Sequence, residues 1–185
     1  TDGPHQCLQH RTHLNQSAFA TAEWLAKQEI QAKDCLIFNP LPIHHVSGLM
    51  AWWRSFCWGS QHKWIHPSLM RDPYALEHSC KTLMTQNKNP TITSLVPTQL
   101  KRLLAHPSGI RWLKSFEVIW LGGAAISTDL ANSARSKGIR LAPCYGTTET
   151  MAMVAVLCPT DFLQGKTFCG SPLNDVELRI GEDKA

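Results

Sequence analysis

The sequence predicts an α/β fold, a largely parallel sheet flanked by helices. The run Cys35-Leu36-Ile37-Phe38 is too short and too uniformly apolar for a half-exposed strand, and reads as a strand buried on both faces. Segments with apolar residues at helical spacing alternate with further short strand-like runs. Such alternation implies parallel strands joined by crossovers, whose fixed hand places helices over the sheet. With 185 residues, 43% of them apolar and 17% charged, the chain can bury one sizeable core.

The elements follow in order. Leu14, Ala18, Ala22, Leu25, Ala26 and Ile30 recur at helical spacing, predicting an amphipathic helix over residues 12–31 with one buried stripe. After the strand at Cys35, a helix is expected from Leu49 to Cys57 and a short strand from Lys63 to His66. Asp72-Pro73 opens the next helix: aspartate accepts from orphan first-turn amides, and proline lacks a donor where none is needed. Thr91 to Val96 reads as a strand, Pro97-Thr98-Gln99-Leu100 as the start of a helix, and Phe116 to Leu121 as a strand. Ser127 caps a helix running to about Lys137. Met151 to Leu157 and Val176 to Ile180 read as strands joined by a loop holding Pro159, Gly165, Gly170 and Pro172.

Composition excludes several classes of function. The net charge of +4 comes without a block of like charges, so neither nucleic acid nor a membrane surface is indicated as a partner. No run approaches the ~18 apolar residues of a membrane span. No secretory signal follows Thr1-Asp2-Gly3-Pro4-His5, and a cytoplasmic location is expected. Seven cysteines, without a Cys-x-x-Cys pair, read as buried reduced thiols. Nine histidines lack metal-ligand spacing and read as surface or loop residues. Homo-oligomerisation is left open.

The chemistry concentrates in Tyr145-Gly146-Thr147-Thr148-Glu149-Thr150, which follows the apolar run Ile139 to Cys144. A ring can stack on a purine, glycine lets backbone approach a ligand, hydroxyls can donate to phosphate oxygens and a carboxylate can hold magnesium. By itself the segment reads first as an ordinary strand-to-loop turn, and only context turns it into a site. In parallel sheets ligands bind at the carboxyl ends of strands, where Gly122-Gly123-Ala124 and Tyr145 to Glu149 both fall.

Three further segments stand in the same order as in one known family. Leu41-Pro42-Ile43-His44-His45-Val46-Ser47-Gly48-Leu49 resembles its Leu-Pro-Leu-Phe-His-x-x-Gly-Leu segment, and Leu121-Gly122-Gly123-Ala124-Ala125-Ile126-Ser127 its adenine loop. Gly170-Ser171-Pro172-Leu173 with Val176-Glu177-Leu178-Arg179-Ile180 resembles the continuation after Tyr-Gly-x-Thr-Glu. The family is the adenylate-forming superfamily of acyl-CoA synthetases, luciferases and nonribosomal peptide adenylation domains. The compact spacing and His-His-Val-Ser-Gly-Leu are most similar to its o-succinylbenzoate-CoA ligase branch, of menaquinone and phylloquinone synthesis.

The resemblance implies the large N-terminal core of an AMP-forming acid-CoA ligase. Its partners would be a small carboxylic acid, ATP with magnesium, and CoA. It implies that Thr148 contacts the α-phosphate, Glu149 holds magnesium and Tyr145 stacks on adenine, with Gly146 and Thr147 in the same loop. Gly122, Gly123 and Ala124 would lie along the base and acyl pocket, and His45 would line or gate that pocket. Ser94 and Thr98 resemble the pocket wall, though Thr98 reads equally as an early-turn helix residue; for Tyr145 a plain core aromatic is the lesser alternative, compatible with stacking. His44 takes the family's aromatic position, either as an extra donor for a dicarboxylic acid or as a solvent-facing ring.

Two departures bear on organisation. The family's phosphate loop is truncated or degraded at Thr1 to Cys7, and the sequence stops before the Thr-Gly-Asp motif and the lysine-bearing mobile domain. The expectation is a fragment: residues 1–150 as a partial α/β ATP- and acyl-binding subdomain, and residues 151–185 as the start of a β-rich one. A non-catalytic nucleotide- or acyl-binding module and another AMP-forming acyl-CoA synthetase stand as alternatives. An unrelated Rossmann-like enzyme is disfavoured, because Gly122-Gly123 is not Gly-x-Gly-x-x-Gly.

Overall fold

The computed structural model describes residues 7–179. Seven strands form one sheet in the order β2-β1-β3-β4-β5-β6-β7. They are β1 (Leu36–Asn39), β2 (Gln61–Trp64), β3 (Thr91–Leu95), β4 (Val118–Leu121), β5 (Leu141–Tyr145), β6 (Ala155–Val156) and β7 (Ser171–Pro172). The first five are parallel, with Leu36 opposite Thr91, Ile92 opposite Val118 and Ile119 opposite Leu141. β6 and β7 extend the β5 edge in antiparallel register, Cys144 pairing with Val156 and Ala155 with Pro172.

The two-residue side-chain period of the strands splits the core into two layers. Leu36, Phe38, Leu95, Ile119, Leu121 and Leu141 point to one face, and Ile37, Ile92, Val118, Trp120 and Ala142 to the other. The first face is covered by α3 (Pro73–Gln86), α4 (Pro97–Leu104), α5 (Pro107–Lys114), α6 (Thr128–Ser136) and α7 (Pro159–Leu163), whose Leu76, Leu100, Trp112, Ala131 and Phe162 join its core. Phe38 and Phe116 meet there edge to face at 5.5 Å, and Trp112 and Phe116 at 4.6 Å. The second face is covered by α1 (Arg11–Ala26) and α2 (Val46–Trp58), through Trp24, Leu25, Ala51 and Trp58. Every β1 residue is buried, as its unbroken apolar run requires.

Several elements differ from expectation for local reasons. α1 ends at Ala26 rather than near residue 31, because Glu29 adopts a left-handed backbone (φ 61°) that cannot continue a helix; Ile30 is still buried after the turn, while Ala26 is exposed. β2 forms at Gln61–Trp64 instead of Lys63 to His66, since its pairing begins opposite Leu36. α5 and α7 have no counterpart in the sequence reading; each is opened by a proline, and His106 Nδ1 caps α5 by accepting from the Ser108 amide at 3.2 Å. Of the stretch 151–157 only Ala155–Val156 pairs, because Met151 and Ala152 (φ 56° and 74°) form a turn. Val176–Arg179 is not a strand; Ile180, with Thr1–Gln6, lies outside the described residues. All seven cysteines are free; Cys35 and Cys80 are buried as expected, whereas Cys7 and Cys169 are exposed. No helix among the described residues is long and apolar enough to cross a membrane.

Candidate functional site

In the strand order 2-1-3-4-5, chain connections leave β1 and β3 in opposite directions, opening a crevice at their carboxyl ends. A cavity of about 490 Å³ lies there, lined from the ends of the strands and the loops that follow them: after β1 (Leu41, Pro42, His45), at the end of β3 (Ser94, Val96), after β4 (Gly122, Gly123) and at the end of β5 (Tyr145 to Thr148). Its size falls within the roughly 300–1,000 Å³ of small-molecule sites.

The wall after β1 is held by a buried amide. Asn39, at the strand's end, accepts from the Leu41 amide at 3.2 Å and donates Nδ2 to the Gly48 carbonyl at 2.9 Å, pinning the loop to α2. The loop crosses the first turn of α2 so closely that a β-carbon on Gly48 would sit 2.2 Å from the Pro42 carbonyl oxygen, which explains the motif's glycine. His45 is the N-cap residue of α2, offers no capping hydrogen bond and lines the cavity. His44 lies 4.4 Å from it, ring to ring, exposed and off the lining.

Across the crevice, Tyr145 closes β5 with its ring about half exposed (54%) at the cavity, so it is no core aromatic. The Thr147 amide donates to Thr150 Oγ1 at 2.9 Å, and the Ala152 amide to the Thr147 carbonyl at 2.9 Å. Gly146 is required by this turn, since its β-carbon would lie 1.3 Å from the Ala152 carbonyl oxygen. Thr147 and Thr148 line the cavity and Glu149 stands exposed beside them. The Thr147 hydroxyl, with Glu149's own backbone, holds that carboxyl below its ordinary pKa, so it is ionised at neutral pH.

The structure therefore brings together His45, Ser94, Gly122, Gly123, Tyr145, Gly146, Thr147 and Thr148. It does not bring Ala124 or Thr98 to the cavity; both are exposed. Gln99 replaces Thr98 on the wall, its Oε1 accepting from the Val96 amide at 3.1 Å, because the first turn of α4 points residue 99 back toward the strand end.

The sequence reading missed the floor of the cavity. Arg54, 3% exposed, lines it from two turns into α2, on the face that carries Ser47 one heptad earlier. Its guanidinium lies 5.1 Å from the centre of the Trp120 ring. Nε and Nη2 of Arg54, and Nε1 of Trp120, are enclosed with no hydrogen-bond partner among the described residues. Burial pulls the Arg54 pKa down to about 10, which still leaves it a cation at neutral pH. Cys144 completes the floor, its thiol donating to the Leu121 carbonyl at 3.4 Å. A lone arginine in the apolar run Met50-Ala51-Trp52-Trp53-Arg54 is the one trace this site leaves in the sequence.

The sequence pattern of the family described as AMP-binding enzyme matches residues 8–185. The 2-succinylbenzoate–CoA ligase of Escherichia coli is 36% identical over 140 residues, 76% of this chain and 26% of that protein. The ligase of the same name from Oceanobacillus iheyensis is 28% identical over 145 residues, 78% of this chain and 28% of that protein. Among solved structures, the o-succinylbenzoate CoA synthetase of Bacillus subtilis with the acyl-adenylate intermediate superposes with a TM-score of 0.79 at 27% identity, over 99% of this chain and 35% of that one. The same enzyme with ATP and magnesium ion gives a TM-score of 0.75 at 27% identity, over 95% and 34%. The chain thus spans about a quarter of the length of these curated relatives and a third of the solved chains. The matched range takes in every strand end that meets at the cavity, and the chain belongs to the AMP-binding enzyme family.

Proposed function

We propose that this chain is the nucleotide- and acid-binding part of an AMP-forming acid-CoA ligase whose acid is o-succinylbenzoate, a cytoplasmic enzyme of menaquinone or phylloquinone synthesis. The observation that carries the reading is Arg54, a buried cation on the cavity floor with no counter-ion among the described residues. A charge so placed is costly unless something compensates it, and a dicarboxylic acid supplies the compensation: one carboxylate reacts while the other stays against the guanidinium. The names of the relatives agree with such an acid.

In the reaction, a carboxylate oxygen of the acid bonds to the α-phosphorus of ATP as the bond to pyrophosphate breaks. CoA thiolate then bonds to the acyl carbon and AMP departs. Positioning and electrostatics dominate such displacements. Tyr145 offers its exposed ring to adenine, and Gly122 and Gly123 let the base and acyl chain lie along the β4 end. The Thr148 hydroxyl donates to an α-phosphate oxygen, and His45 borders the acid. Magnesium would neutralise the phosphate oxygens. Glu149 fits it as a hard, ionised oxygen ligand beside two hydroxyls. The antiparallel strands after residue 150 support reading that stretch as the start of a β-rich subdomain.

The test is calorimetric titration of the full protein with o-succinylbenzoate and with 4-oxo-4-phenylbutanoate, which lacks the ring carboxylate. Arg54→Met should weaken the first by about 10- to 100-fold, the scale of a charged hydrogen bond, and leave the second nearly unchanged. Equal affinity of the unaltered protein for both acids would overturn the reading.

A further inference from the structure

The loop that presents Thr148 and Glu149 is held from outside as well as by its own hydrogen bonds. Met151 and Ala152 both adopt left-handed backbone although neither is glycine, a conformation that persists only where surrounding contacts impose it. Within the loop, the Ala152 amide donates to the Thr147 carbonyl and the Thr147 amide to Thr150 Oγ1, each at 2.9 Å, while the Met151 amide reaches the Thr148 carbonyl at 3.3 Å. Two further restraints, on the carbonyls of Glu149 and Met151, come from the other end of the chain. Ser17 Oγ, on α1, donates to the Met151 carbonyl at 3.1 Å, and Gln9 Nε2, just before α1, donates to the Glu149 carbonyl at 2.8 Å.

α1 is itself firmly seated. Ala18, Thr21, Trp24 and Leu25 are buried, and the Thr21 hydroxyl donates to the Ser17 carbonyl at 2.7 Å. Two indoles of α2 tie the helices together: Trp53 Nε1 donates to Asn15 Oδ1 at 3.1 Å and Trp58 Nε1 to the Ala18 carbonyl at 2.9 Å. Gln9 and Ser17 thus transmit the fixed position of α1 to backbone carbonyls on either side of Thr150, one of them belonging to Glu149 itself.

We infer that Ser17 and Gln9 are positioning residues: α1 acts as a strut that fixes the backbone of the Thr148–Met151 loop, so that the Glu149 carboxylate meets magnesium in one preset place. The inference rests on the reading of Glu149 as the magnesium ligand. Neither residue touches substrate; both act through carbonyls, so removal should loosen the metal step and spare the acid.

The experiment pairs amide hydrogen exchange with kinetics in the full-length protein, for Ser17→Ala, Gln9→Ala, Ser17→Thr and Glu149→Gln. Ser17→Ala should speed exchange of the Met151 and Ala152 amides about fivefold, the scale of one hydrogen bond, with β3 and β4 amides unchanged. Its magnesium activation midpoint should rise by a similar factor while the KM for the acid stays put. Gln9→Ala should act in the same direction, and Ser17→Thr, which keeps a hydroxyl, should restore both readouts. Unchanged loop exchange, exchange rising equally throughout the sheet, or an acid KM moving with the magnesium midpoint would each overturn the strut. A normal magnesium midpoint in Glu149→Gln would overturn the metal reading and the magnesium half of this inference, while the exchange measurements judge the strut by themselves.

Discussion

A guanidinium enclosed by Trp120, Cys144 and the walls of a cavity keeps its charge at a cost in solvation of several kcal/mol. Nothing in packing requires it there, since an apolar side chain of similar length would fill the space more cheaply. On the function proposed above, its value lies in what enters the cavity. Glu149 presents the opposite case, an exposed carboxylate kept ionised by the Thr147 hydroxyl and its own backbone. In the full-length enzyme, Glu149→Gln keeps size and hydrogen bonding but removes the charge, and should lower magnesium-dependent adenylation about 100-fold, the scale of one preorganised electrostatic contact. Pyrophosphate release measured across a magnesium titration checks this. An unchanged rate at every concentration would remove Glu149 from the metal site.

Among the elements, the turn after β5 depends on a missing side chain. A methyl group on Gly146 would overlap the Ala152 carbonyl, itself part of the left-handed pair, so Gly146→Ala cannot be absorbed by a rotamer change. It should destabilise the fold by about 2 kcal/mol or more in denaturant unfolding and strip nucleotide affinity in the same variant. The residue just before β1 carries a pH dependence. Burial, and then the nearby Asp34 and Glu117, push the Cys35 thiol from 9.0 up to about 12. The unfolded thiol ionises from about pH 9 while the folded one does not, so the unfolded state releases its proton first and stability falls as pH rises from 9 to 12. Unfolding curves taken across that window should decline more steeply for the unaltered protein than for Cys35→Ala, and parallel slopes would show that the thiol titrates normally.

At the scale of the whole molecule, a ligand bridging the ends of β1, β3, β4 and β5 binds only the assembled sheet. ATP, AMP and o-succinylbenzoate should therefore each raise the melting temperature of the full-length protein. A free concentration a hundred times Kd adds about 2.7 kcal/mol, and the absence of any shift at that excess would argue against the site. The central strands β1, β3 and β4 and most helices were legible in the sequence because their causes are local: apolar spacing for α1, an uninterrupted apolar run for β1, and Asp72 capping α3 by accepting from Tyr74 and Ala75. The loop motifs were legible too, because turn chemistry at a strand end is written within a few residues. Thr98 against Gln99 was not, since which residue of a helical turn faces a cavity depends on how the helix sits on the sheet. Arg54 on the floor, and Ser17 and Gln9 bonded to carbonyls 134 and 140 residues away, were decided by tertiary structure alone. Contacts of that range leave no periodicity in a sequence; they exist only once the sheet has ordered its strands 2-1-3-4-5 and set the loops of β1 and β5 on opposite sides of one crevice.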